Sequence, residues 1–309
     1  MLDYKKDRIA WLYLAIPLFL LIVFTFYPLV KTVLISLFTQ YNSLTDDFGK
    51  FFDLMAYQHV LGDRFFLGAL GNTMIIVFVS VPISTILAIL IAVALNSIKP
   101  LQKVFQTIFF IPYVTNTLAI GMVFSVMFTH SSVQGLLPEG LVNTIFNLNL
   151  DWVGESAPFE RWMFVVLLYN IWNALPFKIL VFIGGLQSIS KQYYDAAKID
   201  AAPKNRVLTK ITIPLLSPLI SYIVITSFIG SFKTYESVLA VAAKPGKSLD
   251  FDRLTVVAYV YDKIDKIGMD EINFVSHYSK AAAAAVILFA IILIFTVVNL
   301  YVSKKRVHY

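Results

Sequence analysis

Apolar residues are gathered into six long blocks, and the polar residues fall between them. The blocks run from about Trp11 to Phe38, Leu67 to Leu95, Val104 to Phe128, Trp162 to Leu186, Ile213 to Phe232 and Ala281 to Val302, each at or above the roughly 20 residues a helix needs to cross a bilayer. The pattern predicts an all-α polytopic membrane protein with about six transmembrane helices, a single membrane domain over residues 1–309. The first block shows no small-residue cleavage site and reads as a retained helix, bounded or kinked by Pro17 and Pro28. Ile111-Pro112-Tyr113 interrupts the third block. Leu254 to Ile264 has helical spacing and reads as a helix at the outer surface.

One polar island, residues 187–212, has an order of its own. Ser190 can cap a short helix on which Tyr194, Ala197, Lys198 and Ala201 share a face, with Asp195 and Asp200 at its edges. Its small residues, Ala196, Ala197, Ala201 and Ala202, let another surface come close. Pro203 suits the first turn of a second short helix, lined on one side by Val207, Leu208 and Ile211. The island reads as a helix-turn-helix knob for docking.

Composition agrees with a membrane protein: 58% of residues are hydrophobic and 14% charged, against about a quarter charged in soluble domains. The net charge of +6 implies topology rather than nucleic acid. Lys5, Lys6 and Arg8, the Lys99/Lys103 turn, the polar island and Lys304-Lys305-Arg306 all fall on one side of six spans, which predicts cytoplasmic termini. There is no cysteine, and the four histidines are scattered, so neither a disulfide nor a metal site is expected.

Few residues inside the spans can do chemistry. Lys178 in the fourth would cost about 3 kcal/mol facing lipid, so it should either face the solute pathway or snorkel to an interface. Asn116, Asn170 and Asn173, with Tyr113 and Trp172 beside them, suit a hydroxyl-rich solute by amide hydrogen bonding and ring stacking, or serve as interhelical contacts. Pro245-Gly246-Lys247-Ser248 ends like a phosphate loop but lacks the earlier glycine and reads as a turn.

The island's spacing of Asp195-Ala196-Ala197, then Asp200-Ala201-Ala202, then Leu208, Ile211, Ile213 and Pro214 resembles the coupling loop of binding-protein-dependent ABC importer permeases, with Asp195, Ala201 and Leu208 where Glu, Gly and Phe are usual. Asn72-Thr73, Phe110-Ile111-Pro112, Trp172 with Pro176-Phe177, Gly185-Leu186-Gln187-Ser188-Ile189 and the alanines from Ala281 resemble the sugar-type branch; the usual GGP segment is unmatched, with Lys244-Pro245-Gly246 nearby. Ala201 raises an expectation of its own: the chain there either continues the first helix or turns without a positive φ.

The resemblance implies a type I importer subunit in the cytoplasmic membrane of a bacterium or archaeon, carrying a sugar or oligosaccharide from an extracellular solute-binding protein. It implies a second, related permease chain and two cytoplasmic ATPase subunits that hold ATP and magnesium, with no cofactor on this chain. Asp195, Ala196, Ala197, Asp200, Ala201 and Pro214 would couple to the ATPase. Another polar solute, such as a polyol phosphate or an amino acid, remains an alternative. An ATP-independent carrier fits less well, because every Asp and Glu lies in the predicted loops.

Overall fold

The computed structural model describes residues 4–49, 52–98, 102–130, 139–154, 156–242, 251–265 and 275–306. Pro245-Gly246-Lys247-Ser248, and the Lys99 and Pro100 part of the basic turn, lie outside the described residues.

The first apolar block forms α1 (Tyr4–Leu21) and α2 (Tyr27–Ser36), joined by a π-turn at Ile22–Phe26. Short α3 (Met55–Gly62) precedes the 34-residue α4 (Arg64–Ser97). The third block is two helices, α5 (Gln102–Val114) and α6 (Thr117–Met127). The break falls after Ile111-Pro112-Tyr113, where Asn116 leaves helical geometry and caps α6. Then come α7 (Leu141–Phe146), α8 (Phe159–Ser188), α9 (Lys191–Ile199), α10 (Lys204–Val207), a π-turn at Leu208–Thr212 and α11 (Ile213–Phe232). The chain closes with α12 (Glu236–Ala242), α13 (Val256–Ile264) and α14 (His277–Arg306). Five helical stretches among the described residues are long and apolar enough to cross a membrane: Trp11–Ser36, Arg64–Ser97, Phe159–Ser188, Lys204–Phe232 and His277–Lys304.

Both π-turns end two residues before a proline, Pro28 and Pro214. Proline brings no N–H and its ring collides with the carbonyl four residues back, here within the π-turn. The widened turn absorbs that conflict and lets the helix run on. The second amphipathic piece of the polar island is therefore not a separate short helix; it is the first two turns of the fifth span.

Contacts divide the chain into two units, Met1–Leu67 with Ala258–Ala290, and Gly68–Val257 with Ile291–Tyr309. Within the first, Ser279 Oγ donates to Phe38 O, the Ser276 amide donates to Thr39 O, and Tyr259 Oη donates to Asp63 while its ring meets Phe66 edge-on.

The second unit has two apolar cores. One packs Ile76, Phe128, Trp162, Val166, Tyr169 and Val238; the other, toward the polar island, packs Ala88, Ala92, Phe182, Leu186, Leu216 and Ile223. Gly121 on α6 lies against Ala240 of α12 so closely that a Cβ would collide with the alanine's own. A strap at residues 252–256 ties helix ends together: Asn72 Nδ2 donates to Asp252 O and Leu254 O, Arg253 donates to Gly154 O and Ala157 O, and Thr255 Oγ1 donates to Thr234 O.

Candidate coupling and solute sites

The polar island folds around one turn. Ser190 caps α9, its hydroxyl accepting from the Gln192 amide, and α8 is only two residues upstream. At the other end the Ala202 amide donates to Ala197 O at 2.9 Å and the Ala201 amide donates to Lys198 O at 3.1 Å. That bond pair is a Schellman cap, which needs a left-handed residue at its pivot. Ala201 is that residue, with φ +48°. Both sequence-based alternatives for Ala201 are thereby corrected: the helix stops at Ile199, Asp200 is its C-cap, and the turn does require positive φ. Pro203 sits at the N-cap of α10, one residue before the position its ring suggested.

The faces of α9 also differ from expectation. Ala197 is buried and Tyr194 half-buried, turned to the chain's own interior, where Tyr194 Oη lies 3.4 Å from Thr212 Oγ1. The outward surface carries Tyr193, Asp195, Ala196, Ile199 and Asp200, all exposed, as are Ala201 and Pro214. Ile199 is 85% exposed, the most exposed of the large apolar residues among those described. An isoleucine just off the Tyr194–Ala197 stripe was the signal for it in the sequence. Lys198 Nζ donates to Asp195 Oδ1 at 2.9 Å and holds that carboxyl below the ordinary carboxylate range.

The six residues proposed for the solute path have different surroundings. Asn116 Oδ1 accepts from the Leu118 and Ala119 amides, so it caps α6. Asn170 Nδ2 donates to Val166 O and its Oδ1 accepts from Ser237 Oγ, a contact between α8 and α12. Tyr113 stacks on Phe177, ring centroids 5.7 Å apart. Asn173 is half-buried. Trp172 packs on Phe124 and lines an apolar cavity of about 490 Å³ with Phe128, Trp152, Phe164 and Leu168; none of the other five lines it.

Lys178 answers neither alternative drawn from the sequence. It is 3% exposed, and its Nζ donates to Ser84 Oγ at 2.7 Å and Thr85 Oγ1 at 3.1 Å. These hydroxyls donate in turn to Ser80 O and Val81 O beside Pro82. It is a tether between α8 and α4.

Residues 84–308 match the family model described as binding-protein-dependent transport system inner membrane component. The chain belongs to this family. It is 30% identical to the arabinooligosaccharides transport system permease protein AraP of Halalkalibacterium halodurans, over 91% of this chain and 83% of AraP. It is 27% identical to the lactose transport system permease protein LacF of Rhizobium radiobacter, over 97% of this chain and 95% of LacF. A crystal structure of a bacterial ABC transporter involved in the import of the acidic polysaccharide alginate superposes with a TM-score of 0.77, covering 98% of this chain and 97% of that one. At 19% identity that likeness establishes the fold. The protein is thus a multi-pass permease subunit of a binding-protein-dependent importer, an inner-membrane transport component. In this permease the residues that define the polar island, Pro214 included, are those that shape one cap, one turn and one continuous helix.

Proposed function

We propose that this permease carries a sugar or oligosaccharide, handed over by an extracellular binding protein, and that the polar island, residues 187–212, is the element through which separate ATPase chains drive it. The reading rests above all on the built geometry of that element. An exposed apolar and acidic surface stands on a capped helix, and the Schellman turn leads into a helix unbroken from Lys204 to Phe232. A push on α9 would pass into α11 through that turn and into α8 through Ile189 and Ser190.

Two ATPase subunits, holding ATP and magnesium, would close on nucleotide and swing the spans toward the outward-open state; hydrolysis would release them. This is a two-state equilibrium biased by differential binding, with the loop as the mechanical link. Both termini would lie with the loop on the cytoplasmic side, as the distribution of Lys and Arg favours. A second, related permease chain would complete the pathway.

The sugar assignment draws on the arabinooligosaccharide and lactose systems of the relatives. Rings such as Trp172 and Tyr113, with the half-buried Asn173 next to Trp172 in the sequence, suit a pyranose better than an ion. Lys178 is buried against α4, and Asn116 and Asn170 hydrogen-bond within the fold, so the sugar reading leans on Trp172, Tyr113 and Asn173.

Purification of the tagged chain from its own membrane tests the reading. A co-purifying Walker-motif ATPase, lost in Asp195→Lys while the second permease stays, is the expected result. A chain that purifies alone and moves solute without ATP would replace it with a secondary carrier.

A further inference from the structure

Behind α9, on the side away from its exposed surface, the loop encloses a half-open cavity of about 410 Å³. Val93 near the end of α4, Leu186 near the end of α8, and Val207 and Leu208 at the start of the fifth span give it apolar walls. Lys198 and Lys204, both exposed, give it a basic edge. Lys198 has Asp195 as partner, and Lys204 has no carboxylate partner among the described residues. Across residues 191–210 five basic side chains, Lys191, Lys198, Lys204, Arg206 and Lys210, stand against Asp195 and Asp200.

The position is as informative as the lining. Val93 and Leu186 lie in the last turns of two helices long and apolar enough to cross a membrane, so the cavity sits at the boundary between these spans and the polar island. Asn96, Ser97, Tyr194 and Thr212 also line it, but most of its exposed wall is apolar and suits an acyl chain better than water. An excess of lysine and arginine at such a boundary attracts anionic lipid. We propose that this cavity binds one anionic phospholipid, its phosphate at Lys198 and Lys204 and an acyl chain along Val93, Leu186, Val207 and Leu208.

The bound lipid would wedge the inner face of α9 against α4 and α11. It would stiffen the joint through which the loop moves the spans; this consequence, unlike the binding itself, rests on the coupling role proposed above.

The test uses the complete purified complex in phosphatidylcholine vesicles doped with phosphatidylglycerol carrying a photoreactive acyl chain. Labelling of peptides around Val93, Leu186 and Val207 is expected, displaced by unlabelled phosphatidylglycerol but not by phosphatidylcholine or soluble glycerol phosphate. Lys204→Gln, an exposed position that leaves the fold alone, should weaken labelling about fivefold. Val207→Trp should block it by filling the cavity. Equal displacement by phosphatidylcholine, displacement by glycerol phosphate, or full labelling in both variants overturns the proposal. So does labelling that appears only after the ATPase is stripped away, because the ATPase would then be the occupant. ATPase retention is read in the same samples: an unlabelled complex with ATPase bound refutes the lipid site alone, and a labelled permease that never held ATPase refutes the coupling reading alone.

Discussion

Lys178 Nζ lies 2.7 Å from Ser84 Oγ, so the one lysine in the middle of α8 is held by a hydroxyl of α4 rather than by a carboxylate. A buried ammonium costs more when its hydrogen-bonding partners are removed than when it is itself replaced by an apolar chain of similar length. Ser84→Ala with Thr85→Val should therefore destabilise the complex by about 2 kcal/mol. Adding Lys178→Met to that pair should restore stability, and Lys178→Met alone should retain uptake. Thermal unfolding of the three purified variants, with uptake in vesicles, checks both parts.

Ala201 carries a left-handed conformation that an L side chain tolerates at a cost of about 1 kcal/mol. Ala201→Gly should raise stability by up to that amount and keep ATP-driven uptake. Ala201→Val, β-branched at positive φ, should lower both. Melting temperature and uptake measured on the same preparations decide it.

Gly121 and Ala240 hold α6 and α12 at a distance that leaves no room for a further methyl group. Gly121→Val should cost about 2 kcal/mol through forced separation of the helices. Gly230, where an added Cβ meets nothing within 4 Å, is the control: Gly230→Ala should be neutral or mildly stabilising. Unfolding in detergent distinguishes them.

The long helices were legible because lipid demands unbroken apolar runs, and the polar island was legible because capping and docking demand particular residues at fixed offsets. Three features were hidden, each for a physical reason. The third block shows its interruption at Ile111-Pro112-Tyr113, but hydropathy does not reveal that the carboxamide of Asn116, three residues on, will leave the helix to cap the next. The partners of Lys178 lie more than ninety positions earlier, at Ser84 and Thr85, and only packing brings them together. The handedness at Ala201 follows from the paired bonds of Ala201 and Ala202, which no propensity for alanine would suggest. The solute residues are the least legible: Asn116 and Asn170 have the chemistry of recognition, and each also hydrogen-bonds within the fold.

Lys198 depresses the carboxyl pKa of Asp195, so the stabilisation from this pair is present above the unfolded carboxylate pKa and is lost as pH falls through the lower folded value. Asp195 is then fully charged across about pH 6 to 8. Asp195→Asn should reduce uptake by the same factor throughout that window. A pH profile of ATP-driven uptake checks it; a deficit that closes toward acid within the window would contradict a charged role.

The most direct test of the loop as the link to the ATPase uses the absence of cysteine from the chain and the exposure of Ile199. Ile199→Cys gives one thiol on the outward face of α9, and a short cysteine-reactive photocrosslinker placed there reports what that face touches. The account predicts a crosslink to the ATPase chain in the intact complex, with yield that changes on adding ATP. No crosslink to an ATPase that is present and driving uptake would contradict it.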